Sequence, residues 1–480
     1  MSECGRRLIV VSNRLPEPGA AGGGGLVTAL EPVLRAYRGL WIGLDGGHTQ
    51  RWIPPPAQVG YRLLPLALRE RDVELYYHGL ANRTLWPLCH SLLGRTEIRR
   101  DFWAAYQRVN RKFAGCLLGE AGPGDLVWVH DYHLMLVPAM LRERGFSGPV
   151  GFFLHIPFPP WELFRVLPWR EALLEGLLGA DVVAFQTRAY WESFLESVRR
   201  LLGCPVEGAE IHWRGRQVRV RWAPISIDTA YFEGLAGSAQ TRQRVRRLRA
   251  GLNGYRVVLG VDRLDYTKGI PERLAAVELL LERHPEYHQR LAFIQVAVPS
   301  RTGLRHYRLL KRQIERMVGR INGRFCEGSW TPVRYLYRAL PQEVLAAYYA
   351  LADVALVTPL RDGMNLVAKE YVACRPEGGG GVLVLSEFAG AAVELEGALR
   401  VNPHDVCGVA EALHQALSLG AAEQERRVGA MKRHLRARDV RRWAAALLAE
   451  LEAQRPRRRP VEEAPLKLGG QALEQVVPLG

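Results

Sequence analysis

The chain has 480 residues, of which 48% are apolar and 24% charged, a balance that excludes intrinsic disorder; at ~150 residues per domain it predicts two or three domains. The net charge of +16 is spread along the sequence, with local runs at 242–249 and 455–459, so it predicts a solvated basic surface around an anionic small-molecule site rather than a nucleic-acid module. No apolar run approaches the ~20 residues of a membrane span, and the first residues lack the apolar core of a signal peptide, so no membrane association and a cytoplasmic location are expected.

In chain order, residues 8–11 predict a first strand, with Ser12, Asn13 and Arg14 at its carboxyl end. Four glycines end the loop 16–25, where backbone N–H groups can approach an oxyanion before a helix begins. The loop matches neither GxGxxG nor the Walker pattern, which weakens dinucleotide and ATP readings. Segments 39–43 (GLWIG) and 76–90 place aromatics among polar and turn residues, and Tyr77 and Trp86 can wall a sugar. Strands are predicted at 126–129, 150–154 and 182–185. The first two run into HDYH (130–133) and HIPFP (155–159), so Asp131 can fix a sugar hydroxyl and a neutral His155 can donate to an oxygen as charge develops. Residues 224–228 (PISID) predict a hinge.

A charged helix over 241–252 opens the second half, and strands follow at 257–261, 292–296, 354–357 and 382–385. Arg263 and Lys268 flank one turn after a strand, so both cations can reach a single diphosphate, the Arg in bidentate fashion. Arg301 likewise follows a strand. In 353–374 a strand, the loop 358–365 and a helix starting near Asn365 succeed one another, and the carboxyl end of such a strand is where open α/β sheets bind ligands. The helix would aim its free N–H groups and positive dipole end at an anion, and Glu370, inside it, can accept from hydroxyls of the same ligand. Seven scattered cysteines without a CxxC pair predict reduced thiols, and the sequence suggests no metal site. Residues 454–480 show little periodicity and predict a mobile tail.

Read together, SNRLP (12–16), GGL (24–26), GLWIG, YYHGLANRTLWP (76–87), HDYHL (130–134), LHIPFP (154–159), VDRLDYTKGI (261–270), VPSRT (298–302), INGRF (321–325) and TPLRDGMNLVAKEYVAC (358–374) closely resemble the trehalose-6-phosphate synthase family of retaining glycosyltransferases, over roughly residues 8–443. The resemblance implies an α/β protein of GT-B architecture, with two Rossmann-like domains facing a deep cleft. The first would span 1–230 and bind the acceptor; the second would span 231–439 and bind the nucleotide sugar; a helix at about 440–453 would cross back to the first. It implies transfer of glucose from a nucleoside diphosphate-glucose, UDP-glucose first among them, to glucose 6-phosphate, with no cofactor and no metal. A homo-oligomer, dimer or tetramer, is also expected. The phosphatase fused to some members has no room in the residues after Trp443.

Carried over residue by residue, the resemblance implies that Arg263 and Lys268 hold the donor diphosphate, with Gly25 approaching it through its backbone. Asp362 and the backbone of Met364, Asn365, Leu366 and Val367 would hold the donor glucose and pyrophosphate, and Glu370 the ribose. Arg14, Tyr77, Trp86 and Arg301 would hold the acceptor phosphate, with Trp41 and Asp131 near the acceptor sugar and His155 beside the reacting centre. His155, Arg263, Lys268 and Asp362 are the expected catalytic group. His78, Leu80, Leu44 and Gly303 depart from the usual residues of the family. Two alternatives remain at this point: transfer to another phosphorylated acceptor, such as glycerol 3-phosphate, and a non-catalytic sugar-phosphate sensor.

Overall fold

The computed structural model describes residues 6–16, 25–45 and 60–454. The glycines at 22–24 and the tail beyond 454 lie outside these residues. Short β-branched runs form buried strands in two sheets, and amphipathic helices cover both faces. The first sheet has nine strands in the order β3-β2-β1-β4-β5-β6-β9-β8-β7. Its parallel part comprises β1 (Leu8–Arg14), β2 (Leu40–Leu44), β3 (Arg62–Leu66), β4 (Leu126–His130), β5 (Val150–Leu154), β6 (Val182–Phe185) and β9 (Arg216–Trp222), with β7 (Val206–Glu207) and β8 (Glu210–Trp213) added antiparallel at one edge. The second sheet has six parallel strands in the order β12-β11-β10-β13-β14-β15. They are β10 (Arg256–Arg263), β11 (Leu291–Val298), β12 (Val333–Leu336), β13 (Val354–Val357), β14 (Val382–Ser386) and β15 (Leu399–Val401).

Strand order reverses between β1 and β4 in the first sheet and between β10 and β13 in the second. At such a reversal the two crossovers leave in opposite directions and open a crevice at the strands' carboxyl ends. The loops there begin at Arg14 and Asp131 in the first sheet and at Arg263 and Thr358 in the second, so the motifs after β1, β4, β10 and β13 open onto a crevice. The two crevices approach each other: Trp86 Nε1 donates to Asp265 Oδ1 at 3.4 Å, and Tyr190 Oη donates to the Asp362 carbonyl at 3.1 Å.

The last described helix packs on the first sheet. Val440–Glu452 lays Trp443 against Trp128 and Phe153 of the first sheet, ring centroids 5.2 and 5.1 Å away, and the Trp443 indole N–H donates to the Ala223 carbonyl. Arg221 and Glu450 form an ion pair beside it. Among the described residues no helix is long and apolar enough to cross a membrane, and all six described cysteines are free.

Candidate active site

On the second-sheet side, β10 delivers an exposed Arg263, and the turn that follows delivers Lys268. Gly269, at φ 64°, ends this turn pressed against the Thr358 carbonyl, where a Cβ would lie 2.3 Å from the oxygen. The contact ties the two switch-point loops together. Lys268 Nζ reaches Asp362 Oδ2 at 2.5 Å, and Asn365 Nδ2 donates to the same oxygen at 3.0 Å. Burial alone would raise the Asp362 carboxyl, but Lys268 outweighs it and holds the group below its ordinary value.

Asn365, at φ 79°, caps the helix Leu366–Ala373 by accepting from Ala368 N–H at 3.2 Å. The first-turn N–H groups of Leu366 and Val367 have no partners within the helix. Met364 is buried and its carbonyl accepts from Ala391 N–H, so its contribution is the fixed path of the loop. Inside the helix, Glu370 accepts from Tyr349 Oη at 2.8 Å, and burial pushes its carboxyl up to about 7. Gly25 opens the helix Gly25–Ala36 of the first half.

On the first-sheet side three guanidinium groups converge. Arg14 lies over Tyr77 at 5.1 Å, Arg301 over Trp86 at 4.2 Å, and Arg263 over Trp86 at 5.5 Å. Burial would raise the Tyr77 phenol, yet Arg14, Arg301 and Arg263 together bring it below its ordinary value. A concentration of positive charge with so few carboxylates is built for an anion. Asp265 is the one fully buried carboxylate among them. It accepts from Arg301 at 2.8 Å and from Tyr307 Oη at 2.9 Å, and the cations bring it down to about 2 against the upward push of burial. Arg301 also donates to Tyr132 Oη at 3.3 Å, which makes it a link between the two halves.

Asp131, Arg301 and Asn365 are non-glycine residues at positive φ, 75°, 47° and 79°. Such backbone persists only where its surroundings hold it, and here all three sit on the crevice rim. Asp131 Oδ1 accepts from His155 N–H at 3.2 Å, and burial lifts its carboxyl to about 6. The aromatic wall arises from an element the sequence did not reveal, a π-helix over Val73–Leu85 that leads straight into Trp86. Such helices are rare and cluster at functional sites, because the wider turn re-aims side chains. Tyr76, on its buried face, donates to Asn13 Oδ1 and so anchors the wall to the end of β1.

Two of the expected site residues are engaged within the protein. Trp41 does not face the crevice: it is 0% exposed, and its indole N–H donates to Ser12 Oγ at 2.8 Å, so it supports the irregular end of β1 that presents Arg14. His155 is engaged at both ring nitrogens. Its Nε2 is 3.0 Å from His130 Nδ1, its Nδ1 is 3.5 Å from Gln186 Nε2, and burial takes the ring down to about 3, so it is neutral at any physiological pH. Three further residues join the site without having been singled out: Asp265, Tyr132 and His133. His133 is buried and stacks on Tyr77, with both ring nitrogens lacking hydrogen-bond partners. Membership in VDRLDYTKGI and HDYHL was the only signal for them.

The family profile described as glycosyltransferase family 20 matches residues 12–453. The chain is 47% identical to a bifunctional trehalose-6-phosphate synthase/phosphatase of Thermoproteus tenax, over 95% of this chain and 65% of that protein. It thus spans just under two thirds of that relative's length. It is also 47% identical to a trehalose-6-phosphate synthase of Mycolicibacterium smegmatis, over 93% of this chain and 92% of that one. Among solved structures, a UDP-forming α,α-trehalose-phosphate synthase of Burkholderia xenovorans in complex with glucose-6-phosphate superposes with a TM-score of 0.88 at 39% identity, covering 93% of this chain and all of that one (100%). A structure from E. coli bound with UDP-2-fluoro glucose gives 0.88 at 38% identity, covering 94% and 100%.

Proposed function

Because the chain belongs to glycosyltransferase family 20, we propose that it transfers glucose from a nucleoside diphosphate-glucose, UDP-glucose first, to glucose 6-phosphate and so makes α,α-trehalose 6-phosphate. The observation that carries this reading is the meeting of two switch-point crevices. One offers Lys268, Asp362 and a helix N-terminus, a set suited to a pyrophosphate joined to a sugar; the other offers Arg14, Tyr77, Trp86 and Arg301, a set suited to a phosphorylated sugar. A glycerol 3-phosphate acceptor would leave the long aromatic wall without a ring to cover. In this reading residues 1–230 form the acceptor domain and 231–439 the donor domain, with the helix Val440–Glu452 docked on the former.

Chemistry follows from where charge appears. As the glycosidic bond to the diphosphate breaks, negative charge grows on the departing phosphate oxygen, and Arg263, Lys268 and the first-turn N–H groups of Leu366 and Val367 are the donors that stabilise it. Asp362 holds Lys268 in place and is itself poised to accept from a glucose hydroxyl. Three carboxylates of the site are already engaged, Asp362 with Lys268, Asp265 with Arg301 and Glu370 with Tyr349, and the fourth, Asp131, stands on the acceptor side in this reading. A double displacement through a glucosyl-enzyme is therefore set aside in favour of attack from the leaving-group side, in which the phosphate oxygen takes the acceptor proton and configuration is kept. Asp131, with a carboxyl near 6, is ionised at neutral pH and orients an acceptor hydroxyl. Nucleotide release that requires both UDP-glucose and glucose 6-phosphate, in the presence of a chelator, tests the proposal; release that ignores the acceptor, or none with any sugar nucleotide, overturns it. A homo-oligomer and a cytoplasmic location belong to the same reading, and light scattering of the purified chain decides the first.

A further inference from the structure

We propose that Gln186 is a positioning residue that fixes the proton of His155 on Nε2, leaving Nδ1 bare; the assignment rests on the reading above, which puts His155 beside the reacting carbon. Gln186 follows β6 and is buried. Its Oε1 accepts from Ile225 N–H at 2.9 Å, and a backbone N–H can only donate, so the amide oxygen is committed there and the NH2 group turns to His155 Nδ1 at 3.5 Å. A proton on Nδ1, in a neutral ring or an imidazolium, would meet that N–H head-on. The remaining arrangement puts the proton on Nε2, where it is donated to His130 Nδ1 at 3.0 Å.

His130 then carries its own proton on Nε2, which is buried without a partner, and burial keeps this ring neutral as well. The other groups facing His155 agree with an uncharged ring. Asp131 spends Oδ1 on the His155 backbone N–H, and from the second sheet the backbone of Gly363 lies against the His155 carbonyl, while the adjacent Asp362 is tied to Lys268.

What holds the amide in this orientation is the linker peptide itself. Ile225 is gripped from both halves: its N–H by Gln186 and its carbonyl by Lys369 Nζ at 2.7 Å. Lys369 is buried, pairs with Glu394 at 2.6 Å, and belongs to the same helix as Glu370 and the Asn365 cap. The seat of the donor and the tautomer of His155 are thus set against one peptide. For transfer through an oxocarbenium-like state, the consequence is chemical. An imidazolium here would oppose positive charge growing on the sugar, whereas a neutral ring whose N–H is donated to His130 and whose Nδ1 lone pair accepts from Gln186 contributes shape without competing for the acceptor's proton.

Nuclear magnetic resonance of the full chain with nitrogen-labelled histidines reads the tautomer directly, with His155 assigned by its loss in His155→Gln. The wild-type ring is expected as the neutral Nε2–H form around neutral pH. Gln186→Glu keeps an acceptor for Ile225 but presents His155 with a carboxylate oxygen, so Nδ1 gains a proton; kcat falls by about tenfold or more while KM for both substrates stays within about threefold. Gln186→Met keeps the bulk and removes both hydrogen bonds, and it is expected to give a mixture of tautomers, which separates this role from packing. A wild-type ring protonated on Nδ1, or an unchanged His155 pattern in folded Gln186→Glu, overturns the assignment. Should the wild-type chain transfer no glucose, the functional reading falls while the resonance pattern still decides the role of Gln186.

Discussion

Gly363→Ala is the sharpest perturbation of the site. Gly363 is the point where the loop after β13 touches the loop after β5, and a Cβ there would lie 2.0 Å from the His155 carbonyl oxygen and 3.0 Å from Ile156 Cα. An ordinary carbon-to-oxygen contact is about 3.3 Å, so the two backbones must part by about 1.3 Å. Both neighbours are main chain, and no rotamer change relieves the clash. The cheapest relief is to move one half away from the other, which leaves each core intact and costs about 1–3 kcal/mol at most. Misplacing reacting groups by 1 Å costs about 100-fold, or about 2.7 kcal/mol of barrier, so kcat/KM should fall by that amount or more. Initial rates of nucleotide release with both substrates varied, alongside circular dichroism melts, make the measurement. Gly303→Ala is the matched control, because a Cβ there meets nothing within 4 Å. Activity of Gly363→Ala within about threefold of wild type would refute the claim that the two crevices work in contact.

Arg263→Ala or Lys268→Ala should each lower turnover by about 100-fold or more, with Lys268→Ala also weakening the fold because it strands the Asp362 carboxylate; steady-state kinetics and melts read the two effects. Glu370 has a folded carboxyl near 7 against an ordinary 4.5, so the folded chain holds a proton that the unfolded chain has lost, and stability should fall as pH rises from about 4.5 to 7. Ribose hydroxyls need the ionised form, so the donor KM should improve over the rise through 7, and Glu370→Gln should flatten both trends. Trp443→Ala removes the indole that docks the returning helix and should cost about 3–5 kcal/mol, read in denaturant unfolding.

Much of this arrangement was legible because parallel strands buried on both faces must be short apolar runs. The strands at 150–154, 182–185 and 354–357 appear where the sequence puts them, and each releases a polar loop at its carboxyl end. What escaped has a physical cause in each case. β7, β8 and β9 form an edge where Arg, Gln and Val mix, so no apolar run marks them. The π-helix has no periodicity of its own in residue types, since its register follows from packing Gly79 against Phe102, where a Cβ would come within 2.7 Å of the ring. The resemblance alone places Trp41 near the acceptor sugar, and the burial of this side chain and its hydrogen bond to Ser12 come from packing at the end of β1, which no local pattern shows. Pairings such as Arg301 with Asp265 or Gln186 with His155 join residues dozens of positions apart, and only the meeting of strand ends brings them together.

The configuration of the product tests the central claim most directly. Purified chain is incubated with UDP-glucose labelled at the anomeric carbon, glucose 6-phosphate and a chelator, and the disaccharide phosphate is isolated and its anomeric signals read. The account predicts an α,α-linked trehalose 6-phosphate with the label in the unphosphorylated ring. A β-linked product, or transfer to water alone, would contradict it.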